Sequence, residues 1–126
     1  VDVARLITDL TGKLIVLPYA NPEIFLRGRE ETTLAGNSTQ LIAAQGASTR
    51  IYVTSLIVSN DSATNTSVNL QEGSSTILAT IPAPTVGGAV TSFPVPIKLT
   101  ENAALGFSVN DAVSTITVTA VGYSGV

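Results

Sequence analysis

After Glu31 the chain holds four carboxylates, Asp61, Glu72, Glu101 and Asp111, and these are the side chains there with the means to act as an acid and base pair. A glycosidase would need two of them about 5–10 Å apart across a cleft. All four fall in expected turns, where Asp and Glu are ordinary solvated residues. The chain has no His and no Cys. That removes the commonest general base and zinc ligand, and also any thiolate site or disulfide framework. "NDSATN", Asn60 to Asn65, gathers oxygens suited to calcium but lacks the bidentate Glu and the spacing of an EF-hand loop, so a capped turn is expected. "TVGGAV" lacks the Lys and following helix of a phosphate loop and reads as a turn. The glycosylation triplets at Asn37, Asn60 and Asn65 are what a chain rich in Asn, Ser and Thr produces by chance. No catalytic, cofactor or metal residue is assigned, and an enzyme is not expected.

The elements that would position such residues are strands. Beyond residue 50 the apolar residues recur with period 2. Val68 and Leu70 alternate with Ser67, Asn69 and Gln71; Ile77, Ala79 and Ile81 with Thr76, Leu78 and Thr80. Phe93, Val95, Ile97 and Leu99 are expected inward, opposite Ser92, Pro94, Pro96 and Lys98. Two prolines remove two ladder donors, so this strand belongs at a sheet edge or switches sheets. Leu105, Phe107 and Val109 form a further inward set, as do Ile116, Val118 and Ala120. "RIYVTSLIVSN" is apolar on both faces, with Ile51, Val53 and Ile57 on one and Tyr52, Leu56 and Val58 on the other, which marks a central strand or one facing a neighbouring subunit. Adding "STQLIAAQ" and "KLIVL" gives seven or eight short antiparallel strands. The expected fold is all-β, a jelly-roll-like β-sandwich with an extended N-terminal arm. Near the start, Val3, Leu6, Ile7 and Leu10 have helical spacing, but so short a helix would need a surface to pack on.

Charge divides the chain. Of its 15 charged residues, nine lie within the first 31, and the net charge is -3. An acidic balance with only Arg27 and Arg29 close together, flanked by Glu23, Glu30 and Glu31, argues against nucleic acid. No apolar run is long enough to span a membrane, and "VDVARLITDL" lacks the pattern of a signal peptide. A mean hydropathy of +0.41 with 12% charged residues is risky for a free monomer, so an obligate assembly is expected. In "KLIVLPYANPEIFLRGREE", Pro18 and Pro22 hold the backbone extended. Ile15, Leu17, Tyr19, Ile24, Phe25 and Leu26 are too apolar for a free tail, and Arg27, Arg29, Glu30 and Glu31 would fix register on a partner. Residues 1–35 are therefore expected to be a docking arm and 36–126 the sandwich body. The alternative is that this segment is the first strand of the same sandwich, with its charges at a solvated turn.

"GKLIVLPYANPE", then "RIYVTSLIVSNDSATNTSVNLQEGSSTIL", then the closing "TAVGYSG" resemble a group of small tailed-bacteriophage virion proteins over most of the chain. The resemblance implies a short N-terminal segment on a β-sandwich body. It further implies a capsid decoration, or cement, role on the outer surface of the head, as a homotrimer bound to the major capsid protein. Similar modules occur in phage neck, tail and fibre proteins. That makes a glycan-binding adhesin, acting through "SNDSATN" and "PAPTVGG", the alternative.

Overall fold

The computed structural model describes residues 24–126. Eight strands follow one another: β1 Phe25–Thr32, β2 Thr39–Ile42, β3 Arg50–Asn60, β4 Thr66–Glu72, β5 Thr76–Ala83, β6 Gly87–Lys98, β7 Leu105–Val109 and β8 Ile116–Gly125. They form two four-stranded sheets, in the orders β1-β8-β3-β6 and β2-β7-β4-β5, with antiparallel pairing throughout. Each sheet interleaves strands distant in sequence, as two nested Greek keys require. The architecture is a jelly-roll sandwich.

The core lies between the sheets and is built by the period-2 residues. Leu105, Phe107 and Val109 of β7 and Ile116, Val118 and Ala120 of β8 are fully buried, against Ile51 and Val53 of β3 and Val68 and Leu70 of β4. Each buried Val, Leu, Ile or Phe among them contributes about 1.5–3 kcal/mol through burial. β6, the strand with two prolines, occupies a sheet edge, where missing donors face no neighbour.

Bulges shift some residues away from their expected faces. In β3 the register slips between Val53 and Ser55 against both neighbours, and the Thr54 hydroxyl donates to the Val121 carbonyl at 3.0 Å. One extra residue reverses every side chain beyond it. Leu56 and Val58 therefore join Ile51 and Val53 in the core, and Ile57 turns outward. A bulge between Leu70 and Gln71 does the same to β5: Leu78 packs on the core, and Ile77, expected inward, is exposed. β6 places Phe93 to Pro96 opposite Thr54 alone, so Phe93 and Ile97 reach the core while Val95 is left 83% exposed.

The arm expected over residues 1–35 is corrected at its C-terminal end. Phe25 to Thr32 pair residue by residue with Tyr123 to Ile116, which makes β1 an integral edge strand. "FLRGREET" alternates as a strand should: Leu26 packs on the core, Gly28 is buried, and Phe25, Arg27, Arg29 and Glu31 share the opposite face. The expectations for Val3 to Leu10 and for "KLIVL" lie outside the described residues.

Close approach makes Gly122 obligatory opposite the β3 bulge. A Cβ there would lie 2.0 Å from the Tyr52 carbonyl oxygen and 2.9 Å from its carbon. Backbone cannot yield as a flexible side chain does. Gly122→Ala is expected to lower unfolding free energy by about 1–3 kcal/mol, measured by urea denaturation.

Candidate functional site

β1 is the described part of the segment expected to contact a partner. Of its residues, Phe25, Leu26, Arg27, Arg29, Glu30 and Glu31 lie in the strand and Ile24 is exposed just before it. Ile15, Leu17 and Tyr19 lie outside the described residues. The strand divides the set. Phe25, Arg27, Arg29 and Glu31 stand on the outer face of the first sheet, whereas Leu26 turns to the core and Glu30 sits exposed at the edge. Arg29 Nη2 donates to Glu31 Oε1 at 2.6 Å. Both side chains are half or more exposed, so the pair contributes at most about 1 kcal/mol.

This outer face continues across the sheet. Phe25 pairs with Tyr123, and Tyr123 with Tyr52, giving a cross-strand row of three aromatics. The rings of Tyr52 and Tyr123 stack with centroids 4.9 Å apart and planes 8° from parallel. Tyr52 Oη donates to the Val126 carbonyl at 2.9 Å, tying the last residue to the same corner. Reading β1 as an arm hid this row. The alternation in "FLRGREET" was the signal that would have found it.

The four carboxylates divide between the two ends of the sandwich. Asp61 follows β3 and Asp111 follows β7, both at the end where β4 begins; Glu72 closes β4 and Glu101 follows β6 at the other end. The length of β4 separates the two pairs by roughly 15–20 Å. Glu72 accepts from Thr100, from the backbone N–H at 2.9 Å and from the hydroxyl at 2.5 Å, and Glu101 accepts from the Ser48 N–H at 2.5 Å. These two carboxylates tie loops together. Among the described residues, no group of three or more His, Cys, Asp or Glu is arranged to hold a metal ion.

"SNDSATN" folds as a capped turn. Asn60, 1% exposed, accepts from the Ser62 N–H and donates to the carbonyls of Thr64 and Ala83, each at 2.9 Å. The Ser62 hydroxyl closes the turn on Thr64. "PAPTVGG" packs against it: the Thr85 N–H donates to Asn65 Oδ1 at 2.9 Å and the Val86 N–H to the Ser62 carbonyl at 3.0 Å. The two loops of the adhesin alternative thus form one braced tip. On the outer face of the second sheet, Asn69 and Gln71 are buried, although sequence alternation alone would leave them in solvent. Asn69 is held by Thr80 and Asn110, each at 2.8 Å.

No known protein family matches this chain, and no curated protein does either.

Asn60 joins the ends of β3 and β5 to the β3–β4 turn through one side chain. Asn60→Ala leaves two carbonyls and one N–H without it and is expected to cost about 2–3 kcal/mol by urea unfolding. Asn60→Asp should cost at least as much, because a carboxylate would face the carbonyls of Thr64 and Ala83. An unchanged midpoint in both variants would contradict this role.

Proposed function

We propose that the chain is a structural virion protein of the capsid decoration type, bound to the outside of a phage head and associated with further copies of itself. The observation that carries the reading is a set of three exposed valines in and just before β6, the edge strand of the first sheet. Val86, Val90 and Val95, in and just before β6, are 78%, 74% and 83% exposed. A sheet edge presents unpaired backbone groups, and edges are normally guarded with charge. Here the guards are two prolines and apolar side chains, in a chain with only 12% charged residues. Such an edge suits a body whose neighbours are always present, and self-association as a homotrimer would cover it. The rest of the reading comes from sequence: the resemblance to phage virion proteins, and an apolar N-terminal stretch ahead of β1.

In this reading the body is a rigid spacer, and attachment comes from the N-terminal residues through burial of Ile15, Leu17 and Tyr19 on the major capsid protein. Burial yields roughly 25 cal/mol per Å² before ordering costs. Three arms on one trimer convert modest single contacts into avid attachment. The function is mechanical reinforcement and needs no turnover.

Deleting residues 1–31 would remove most of β1 and confuse attachment with folding, so the test removes residues 1–23 and leaves all eight strands. The truncated chain is expected to stay folded by circular dichroism and to lose co-sedimentation with purified heads. Thr85→Lys at the tip should leave head binding intact. The adhesin alternative demands the reverse: glycan binding that survives truncation and fails on the tip substitution.

A further inference from the structure

The fold collects basic residues that are far apart in sequence. Residues 24–126 contain four Lys or Arg side chains, Arg27, Arg29, Arg50 and Lys98. All four stand on the outer face of the first sheet. Arg27 and Arg29 share the parity of Phe25 in β1. Lys98 of β6 is the direct cross-strand partner of Tyr52, and Arg50 lies two residues before Tyr52 on β3, on the same side. Of the six Asp and Glu in the same span, only Glu31 is on this face. The sandwich therefore carries its described positive charge on one face, while Glu30 sits at the β1 edge and the other four carboxylates lie at the ends of the strands. A chain of net charge -3 conceals this.

The face is also partly apolar. Phe25, 56% exposed, stands on the row of Tyr52 and Lys98, and Ile57, 44% exposed, pairs with the 74% exposed Val90 on the row that begins at Arg29. Exposed apolar groups on a face that also carries an excess of one charge sign fit a partner of complementary charge. The net charge of -3 disfavours nucleic acid as the partner. Four cations against one carboxylate on this face favour an acidic partner surface. The described residues begin at Ile24, beside Phe25, at a corner of the same face.

We infer that the outer face of the first sheet docks on an acidic, partly apolar patch of the shell protein, with Arg27, Arg50 and Lys98 as its charge contacts. This rests on the decoration reading above. The N-terminal residues and this face then engage one partner together, and the face sets orientation while the N-terminal residues hold. Arg29 contributes less, because Glu31 already neutralises it.

The test compares three full-length proteins for binding to purified heads that lack this chain: the wild type, Arg27→Gln with Lys98→Gln, and Ser75→Glu with Thr76→Glu. The two variants change net charge equally, the second in the β4–β5 hairpin of the other sheet. Circular dichroism checks that each is folded. The expected result is a wild type whose binding weakens as salt rises, a face variant bound about tenfold more weakly with a shallower salt dependence, and a hairpin variant close to wild type. Wild-type binding matched by the face variant would overturn the docking face and leave the decoration reading standing. A wild type that ignores heads would overturn both. Retention on single-stranded DNA, abolished in the face variant, would then reassign the face to nucleic acid.

Discussion

The pairing of β3 with β8, and the single bulge within it, is the constraint on which the rest of the sandwich depends. β8 lies between β1 and β3, so its register sets both neighbours. The extra residue at Thr54 is accommodated because its hydroxyl finds the Val121 carbonyl and because Gly122 lets the Tyr52 carbonyl approach. Without that slip, Leu56 and Val58 would face solvent and the core would lose two of its largest contributors on one strand. With it, Ile51, Val53, Leu56 and Val58 all point inward, and Tyr52 and Ile57 all point outward. One local irregularity thus completes the core and builds the aromatic row on the outer face.

The two ends of the sandwich are locked by side chains that serve the backbone. At one end Asn60, Ser62 and Asn65 occupy N–H and carbonyl groups of the β3–β4 and β5–β6 loops. At the other, Glu72, Glu101 and Asn102 do the same for the β2–β3 and β6–β7 loops. Buried or crowded backbone groups must be paired, and short polar side chains in turns are the cheapest partners. The abundance of Ser, Thr and Asn is therefore a structural requirement of many tight connections. Of the candidate carboxylates, Glu72 and Glu101 belong to this bracing.

Much of the fold was legible because period-2 alternation is a direct consequence of strand geometry. The inward sets of β4, β7 and β8 could be read from alternation, and the prolines left β6 as an edge strand or a sheet switch, of which the structure has the edge. Faces were misread where a bulge intervened, at Thr54 and at Leu78, since a one-residue slip leaves no mark in composition or spacing. β1 was read as part of an arm because Pro18 and Pro22 precede it and its apolar residues called for a partner surface, whereas the alternative made it the first strand of the sandwich. Yet an edge strand with one solvated face carries charges at every second position. The outer face was illegible for a further reason: Arg27, Arg50 and Lys98 come to one face only through the crossover order of the sheet, which no single segment encodes.

Together these features describe a small, braced sandwich with exposed valines on and beside its edge strand β6 and a cationic and aromatic face, at whose corner the described residues begin. The decoration reading joins them: the edge meets further copies, and the face and N-terminal residues meet the shell. Its most direct measurement is the copy number of this chain per purified particle, by quantitative mass spectrometry against the major shell protein. A ratio that scales with the shell lattice, one chain or a simple fraction of one per shell subunit, is the expected result. A few copies per particle, or none, would contradict it and move the protein to the tail or out of the virion.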